Sequence, residues 1–255
     1  MLTERCNARC IHCDIWKNRG KEDSPTVEQW QNALTNFRHW LGPAHICLTG
    51  GEALLKPFTI DLVHHGRSLG LFIELLTHGY WEDQSRIEQL ARANPWRITL
   101  SLDGIGDIHD QIRGRKGFFD HTRSTIETLM RLRKEKQLNY SIRLKTVIMS
   151  HNMECLTDLA EFATKDGVDI LFQPIEQNYD TAEDSKWYLS SNNWPNDLER
   201  VVKEIDRLLC MKEQGFSIAN SKDSLQVMQD YFRNPSALQV SVQDHTAHCF
   251  ASVGH

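Results

Sequence analysis

The sequence predicts an α/β fold built on a parallel β-sheet. Short runs rich in Ile, Leu and Val alternate with longer segments whose apolar residues recur at helical spacing, which is the pattern of βα units. The short runs are typical of buried parallel strands. Right-handed crossovers between such strands either curl the sheet into a barrel or leave it open.

Five apolar runs are the predicted strands. They cover residues 45–49, 71–76, 97–102, 141–149 and 169–173. The first three are followed by glycine-containing turns, which are strand-ending signals. Active sites of barrel proteins gather at such strand ends, so the residues of these turns are candidates for a functional site.

Amphipathic helices are predicted between the strands. In the first of them, Trp30, Leu34 and Leu41 fall at helical spacing, and Thr26 with Gln29 can form a capping box at its start. The other helical segments cover residues 61–69, 85–93, 121–136 and 154–166.

A polar loop over residues 176–196 ends this alternation, and further helices begin near Leu198 and Ser221. We therefore expect a core domain over residues 1–175. Residues 176–255 are expected to form a loop followed by a helical C-terminal extension.

Charge and hydropathy exclude several classes of protein. The net charge is −5, from 29 Lys and Arg against 34 Asp and Glu, which argues against binding nucleic acid through a basic surface. No apolar run approaches the roughly 18 residues of a membrane span, and no export signal is visible. A cytoplasmic protein without membrane attachment is expected. Few residues precede Cys6 and six follow Cys249, so the chain is also expected to be cut at both ends.

Three of the seven cysteines are crowded into the segment from Cys6 to Cys13, with the spacing C-x3-C-x2-C. Thiolates this close suit zinc or an iron–sulfur cluster. A structural zinc site normally has four protein ligands, and a fourth cysteine at matching spacing is missing. Three cysteines on a four-iron cluster leave one iron open, which is typical of a catalytic site. Zinc and unligated thiols remain as alternatives.

The sequence resembles the radical S-adenosylmethionine (SAM) superfamily, whose signature is the cysteine spacing of residues 6–13. Gly50-Gly51-Glu52 is similar to the family's "GGE" motif, and Thr77-His78-Gly79 to its "TNG" motif with His in place of Asn. Ser101-Leu102-Asp103-Gly104 is similar to its "SLDG" motif. The Arg113-Gly114 pair that follows is equally well interpreted as part of the family pattern or as a surface arginine.

The resemblance implies a fold, two cofactors and a reaction. The fold is a partial (β/α)6 TIM-like barrel of parallel strands with a helical C-terminal extension. Cys6, Cys10 and Cys13 would hold a [4Fe-4S] cluster whose open iron chelates S-adenosyl-L-methionine. Reductive cleavage of SAM then yields a 5′-deoxyadenosyl radical that abstracts hydrogen from a substrate. No catalytic side chain beyond the cluster ligands is assigned.

The resemblance also implies SAM contacts at successive strand ends. The glycines would let the backbone approach the ligand closely, and Glu52 would accept hydrogen bonds from the methionine amino group. Ser101 and Asp103 are candidates for the ribose or the carboxylate, and either Arg143 or Lys145 for the carboxylate. The full set of expected SAM-binding residues is Gly50, Gly51, Glu52, Thr77, Ser101, Asp103, Arg143, Lys145 and Gln173.

Residues 248–252 resemble the start of the SPASM or twitch extension, so Cys249 is a candidate ligand of an auxiliary cluster in a longer parent protein. This branch implies a peptide, protein or cofactor precursor as substrate. A small electron donor such as flavodoxin or ferredoxin is the implied partner. The alternatives are a non-catalytic zinc or iron–sulfur scaffold and an inactive truncated copy.

Overall fold

The computed structural model describes residues 1–18, 24–178, 181–182 and 184–235. Within them, five parallel strands form one sheet in the order β1-β2-β3-β4-β5, so each strand pairs with its neighbour along the chain. The strands are β1 (His45–Leu48), β2 (Phe72–Thr77), β3 (Arg97–Ser101), β4 (Ser141–Ile148) and β5 (Asp169–Pro174). The prediction of an α/β fold with parallel strands is confirmed, and each strand agrees with its predicted run to within one residue at either end.

The described residues contain five strands, where a (β/α)6 barrel has six. The residues beside β1 are the N-terminal ones. Leu2 N donates to Thr49 O at 2.6 Å, and Gly51 N donates to Thr3 O at 2.7 Å. These bonds lie beyond the carboxyl end of β1 and are too few to make the N-terminal segment a regular strand.

Eight α-helices are present in the described part of the chain. Thr26 and Gln29 form the predicted capping box at the start of the first, with Gln29 N donating to Thr26 Oγ1 at 3.3 Å. The helices are α1 (Val27–Leu41), α2 (Thr59–Ser68), α3 (Ser85–Ala93), α4 (Asp107–Arg113), α5 (Phe118–Glu135), α6 (Leu156–Lys165), α7 (Leu198–Glu213) and α8 (Lys222–Arg233). None of these described helices has the length and apolar character of a membrane span.

The two faces of the sheet differ in chemistry, because side chains alternate along a strand. Apolar residues such as Ile73, Leu100 and Leu144 are fully buried and belong to one hydrophobic cluster with residues of the surrounding helices. The alternate positions carry polar residues, among them Thr99 and Lys145. The apolar face therefore forms the core, and the polar face is left for a site.

The chain after β5 covers that edge of the sheet. Ile170 forms a parallel bridge with Ile218, and Ala219 N donates to Ile170 O at 2.7 Å. Tyr231 of α8 donates through its hydroxyl to Ile175 O at 2.9 Å. Buried apolar residues of α7 and α8 belong to the same hydrophobic cluster as the strands.

Candidate functional site

A cavity of about 440 Å³ lies at the carboxyl ends of the strands, which is within the range usual for small-molecule sites. Cys6, Cys10 and Cys13 all line it. Of the expected SAM-binding residues, those that reach its wall are Gly50, Gly51, Thr77, Ser101, Lys145 and Gln173. The structure thus brings the cysteine segment and the strand ends together at one cavity.

The two glycines hold the backbone that leads to Cys6. Glu52 N donates to Arg5 O at 2.8 Å, next to the bond from Gly51 to Thr3. A Cβ atom on Gly50 would collide with Thr3 O, and one on Gly51 would collide with Arg5 O. The close neighbour that requires glycine here is therefore the N-terminal segment of the chain itself, although both glycines also line the cavity.

The end of α4 holds the cysteine segment from a second direction. Arg9 N donates to Arg113 O at 3.2 Å, and Ile11 N donates to Ile112 O at 3.0 Å. Gly114 has a φ of +71° and stands so close to Arg9 that a Cβ atom would collide with Arg9 O. The loop carrying Cys10 is therefore fixed by backbone hydrogen bonds on both of its flanks.

Arg113 and Asp103 form a buried ion pair behind Cys10, with 6% and 0% exposure. Arg113 Nη1 also donates to Cys10 Sγ at 3.4 Å. Burial alone would lower the pKa of Arg113, but the adjacent carboxylate outweighs it and raises the pKa above its ordinary value. Likewise burial alone would raise the pKa of Asp103, and Arg113 holds it below its usual range. Both groups are charged. Because Arg113 is buried, the alternative of a surface arginine is wrong.

Asp103 itself is enclosed by protein and does not reach the cavity wall. Its Oδ1 accepts from Val147 N at 2.9 Å, and its backbone oxygen accepts from Asn152 Nδ2 at 2.9 Å. Its backbone N donates to His109 Nδ1 at 3.0 Å. These contacts orient Asp103 toward Arg113 and away from a ligand.

Glu52 is likewise enclosed, with 1% exposure. Its Oε1 accepts from Leu54 N at 3.0 Å, and its Oε2 accepts from the Thr77 hydroxyl at 3.0 Å and from His78 N at 2.9 Å. The carboxylate is therefore satisfied by the protein, and Glu52 lies behind Thr77 instead of lining the cavity.

Arg143 and Lys145 share one face of β4, but only Lys145 lines the cavity. Burial lowers the pKa of Lys145, and among the described residues no carboxylate lies within 4.0 Å of its ammonium group. Arg143 Nη2 instead lies 3.8 Å from Asp169 Oδ2. The structure thus distinguishes two cations between which the sequence could not choose.

Sequence reasoning missed several residues that line the cavity, among them His12. His12 Nδ1 is buried without a hydrogen-bond partner in the described part of the chain. Burial lowers the pKa of His12 to about 4, so the imidazole is neutral at neutral pH. Its position between two candidate ligands, Cys10 and Cys13, was the available signal.

The thiols have the chemistry that a metal cluster requires. Burial raises the pKa of Cys6 to about 12 and also raises that of Cys13, so both thiols are protonated in the metal-free protein. Because the metal ligand is the thiolate, binding of a cluster releases these protons. The Arg113 cation beside Cys10 suits the negative charge of a thiolate-ligated cluster. Among the described residues no three His, Cys, Asp or Glu side chains are arranged to hold a single metal ion. Cys249 lies outside the described residues.

Comparison with known proteins connects this site to a family. The family model described as Radical SAM superfamily matches residues 1–163. An AdoMet-dependent heme synthase of Methanosarcina barkeri is 28% identical over 173 residues, which cover 65% of this chain and 46% of that protein. The sporulation killing factor maturation protein SkfB of Bacillus subtilis is 31% identical over 162 residues, covering 63% of this chain and 37% of that protein. The chain thus spans less than half the length of these relatives.

Solved structures share the fold. Streptococcus suis SuiB bound to S-adenosylmethionine superposes with a TM-score of 0.66 at 14% identity, over 85% of this chain and 49% of that chain. SuiB bound to the precursor peptide SuiA superposes with a TM-score of 0.63 at 15% identity, over 85% of this chain and 46% of that chain. Because the family model covers well over half of the residues, this chain belongs to the radical SAM superfamily, whose members are enzymes that use a [4Fe-4S] cluster and S-adenosylmethionine.

Proposed function

We propose that Cys6, Cys10 and Cys13 hold a [4Fe-4S] cluster with one open iron, and that SAM binds beside it in the 440 Å³ cavity. When bound, these cofactors supply a 5′-deoxyadenosyl radical that abstracts a hydrogen atom from a substrate. The observation that carries the proposal is that all three thiols and the ends of the parallel strands line one cavity. The protein's contribution is to position the cofactors and to exclude water.

The SAM contacts that the cavity supports are fewer than the resemblance implies. Thr77, Ser101 and Gln173 offer hydrogen-bonding groups at the wall, and Lys145 offers a cation for the carboxylate. Gly50 and Gly51 act through their backbone. The remaining three expected SAM-binding residues do not line the cavity. In this proposal Glu52 orients Thr77 and Asp103 orients Arg113. Arg143 instead pairs with Asp169.

We further propose that residues 1–175 form the catalytic core and residues 176–255 an extension that begins an auxiliary-cluster region, with Cys249 as a ligand. A peptide, protein or cofactor precursor is the proposed substrate class. The similarity to the maturation protein SkfB, the heme synthase and SuiB bound to its precursor peptide SuiA supports this range. Glu176 and Gln177 at the cavity wall offer hydrogen-bonding groups for such a substrate. The electron donor is proposed to be a small cytoplasmic flavodoxin or ferredoxin.

The test is anaerobic reconstitution with iron and sulfide, reduction, addition of SAM and measurement of 5′-deoxyadenosine. We expect SAM cleavage in the wild type and none with Cys10→Ala. The matched control is Cys210→Ala, which removes an exposed thiol of α7 and should leave cleavage intact. A wild-type protein that holds the cluster but never cleaves SAM would overturn the proposal.

A further inference from the structure

The sulfur of Cys10 accepts a hydrogen bond from inside the protein. Arg113 Nη1 donates to it at 3.4 Å. Within the described part of the chain, Arg113 is the one side chain that donates to the sulfur of Cys6, Cys10 or Cys13. Its backbone also holds the cysteine segment, through the bond from Arg9 N to Arg113 O. Arg113, at the end of α4, therefore contacts the cysteine segment through both its side chain and its backbone.

Cys10 and Arg113 line the cavity on one side of this contact, and the protein on the other side is apolar. Ala8, Tyr80 and Phe118 pack with Cys10 in a small buried apolar cluster, and Cys6 and Cys13 contact the same cluster. Arg113 is 6% exposed. Charges interact more strongly in such surroundings than in water, because the effective dielectric constant is lower. The Arg113 cation is thus placed where it interacts strongly with the negative charge of a bound cluster.

Asp103 limits that effect. Its carboxylate is fully buried and ion-paired with Arg113. Seen from the cluster, the negative charge of Asp103 opposes the positive charge of Arg113. The pair therefore combines a near cation with a more distant anion, and each member can be neutralised separately.

We propose that Arg113 is a positioning residue that acts through Cys10 to raise the reduction potential of the cluster, and that Asp103 moderates this effect. The inference rests on the proposed function, because it requires the cluster on Cys6, Cys10 and Cys13. The step concerned is the entry of one electron from an external reductant, which makes the cluster more negative by one charge. A hydrogen bond and a positive charge at a ligand sulfur stabilise that reduced form.

The principal test is an EPR-monitored redox titration of the reconstituted full chain without SAM. With Arg113→Gln we expect the ratio of reduced to oxidised cluster at a fixed potential to fall about tenfold, which is about 59 mV for a one-electron couple. With Asp103→Asn we expect a shift in the opposite direction, since a buried cation is left without its carboxylate. Damage to the fold alone would not shift the two variants in opposite directions.

Arg115→Gln is the matched control. Arg115 lies two residues from Arg113, pairs with Glu82 at 2.9 Å and is about half exposed, so its removal deletes a nearby charge without touching Cys10. The cluster of the Arg115→Gln variant should have the same reduction potential as that of the wild type. The inference would be overturned if Arg113→Gln and Arg115→Gln shifted the reduction potential equally. It would also be overturned if Arg113→Gln caused no shift, or if Asp103→Asn caused none.

A second measurement covers the case in which the buried variants do not load a cluster. Wild-type protein labelled with ¹⁵N in the arginine guanidinium groups should show a ¹⁵N hyperfine coupling to the reduced cluster, and Arg115→Gln should retain it. A wild type with a reduced cluster and no such coupling would refute the role of Arg113 while leaving the proposed function standing. A wild type that binds no [4Fe-4S] cluster would overturn both.

Discussion

His78 Nε2 donates a hydrogen bond of 2.6 Å to Asn7 Oδ1, which joins the loop after β2 to the cysteine segment. The direction follows from the other ring nitrogen, because His78 Nδ1 accepts from Tyr80 N at 2.9 Å. His78 N in turn donates to Glu52 at 2.9 Å. His78 thus connects the glycine-glycine-glutamate turn, through its backbone N, to the loop that carries the proposed cluster ligands, through its imidazole.

We predict that His78→Ala weakens cluster retention. A lost buried hydrogen bond costs about 1–1.5 kcal/mol, which corresponds to roughly a five- to tenfold faster release of iron to a chelator. The control is His39→Ala, which alters an exposed histidine of α1 and should leave the release rate unchanged. Equal rates in the two variants would mean that the bond to Asn7 does not stabilise the loop.

Gly51→Ala should displace the segment before Cys6. The added methyl group would overlap Arg5 O, and overpacking of this kind costs about 1–3 kcal/mol. We expect a lower denaturation midpoint together with reduced iron content after reconstitution. Gly70→Ala is the comparison, because Gly70 has a φ of +75° but nothing within 4 Å of a Cβ atom. It should lose about 1–2 kcal/mol from backbone strain and keep its iron, whereas iron loss in both variants would contradict a specific role for the Gly51 contact.

Lys145 and Arg143 should differ in their effect on SAM affinity. A hydrogen bond to a charged group contributes about 1.5–3 kcal/mol, so Lys145→Met should raise the Kd for SAM at least about tenfold. Arg143→Met should change it little, since Arg143 does not line the cavity. Calorimetric titration of the cluster-loaded proteins with SAM measures both. The reverse order of effects would place the carboxylate contact on Arg143.

His109 predicts a pH dependence of stability. Burial, with help from the Arg113 cation, lowers the pKa of His109 to about 3, while the unfolded chain has a value near 6.5. Above about pH 6.5, His109 is neutral in both the folded and the unfolded state. Below that pH only the unfolded state binds the proton, so the free energy of unfolding falls by up to about 1.4 kcal/mol per pH unit.

The matched variant for that prediction is His109→Asn. Its amide oxygen can still accept from Asp103 N, but it does not titrate. Unfolding by denaturant at several pH values between about 5 and 7.5 should therefore give a shallower loss of stability for the variant than for the wild type. Parallel curves would show that His109 does not cause the acid sensitivity.

The sequence alone determined the elements whose signals are local. Each strand was visible as a short apolar run, and the start of α1 was visible in the capping box of Thr26 and Gln29. The cysteine spacing and the turns after β1 to β3 were sufficient to predict one shared site, because parallel strands end at the same edge of a sheet. The short helix α4 was missed, and with it the burial of Arg113.

Only the tertiary structure decided which of the predicted residues reach the cavity. Glu52 and Asp103 are satisfied by partners that lie 25 and 44 residues away, at Thr77 and Val147, and no local pattern records such pairings. Arg143 and Lys145 share one face of a strand and differ only by depth along it, so alternation could not separate them. Residue type and spacing thus predict the chemistry of this site, whereas the direction of each side chain depends on neighbours that only folding brings together.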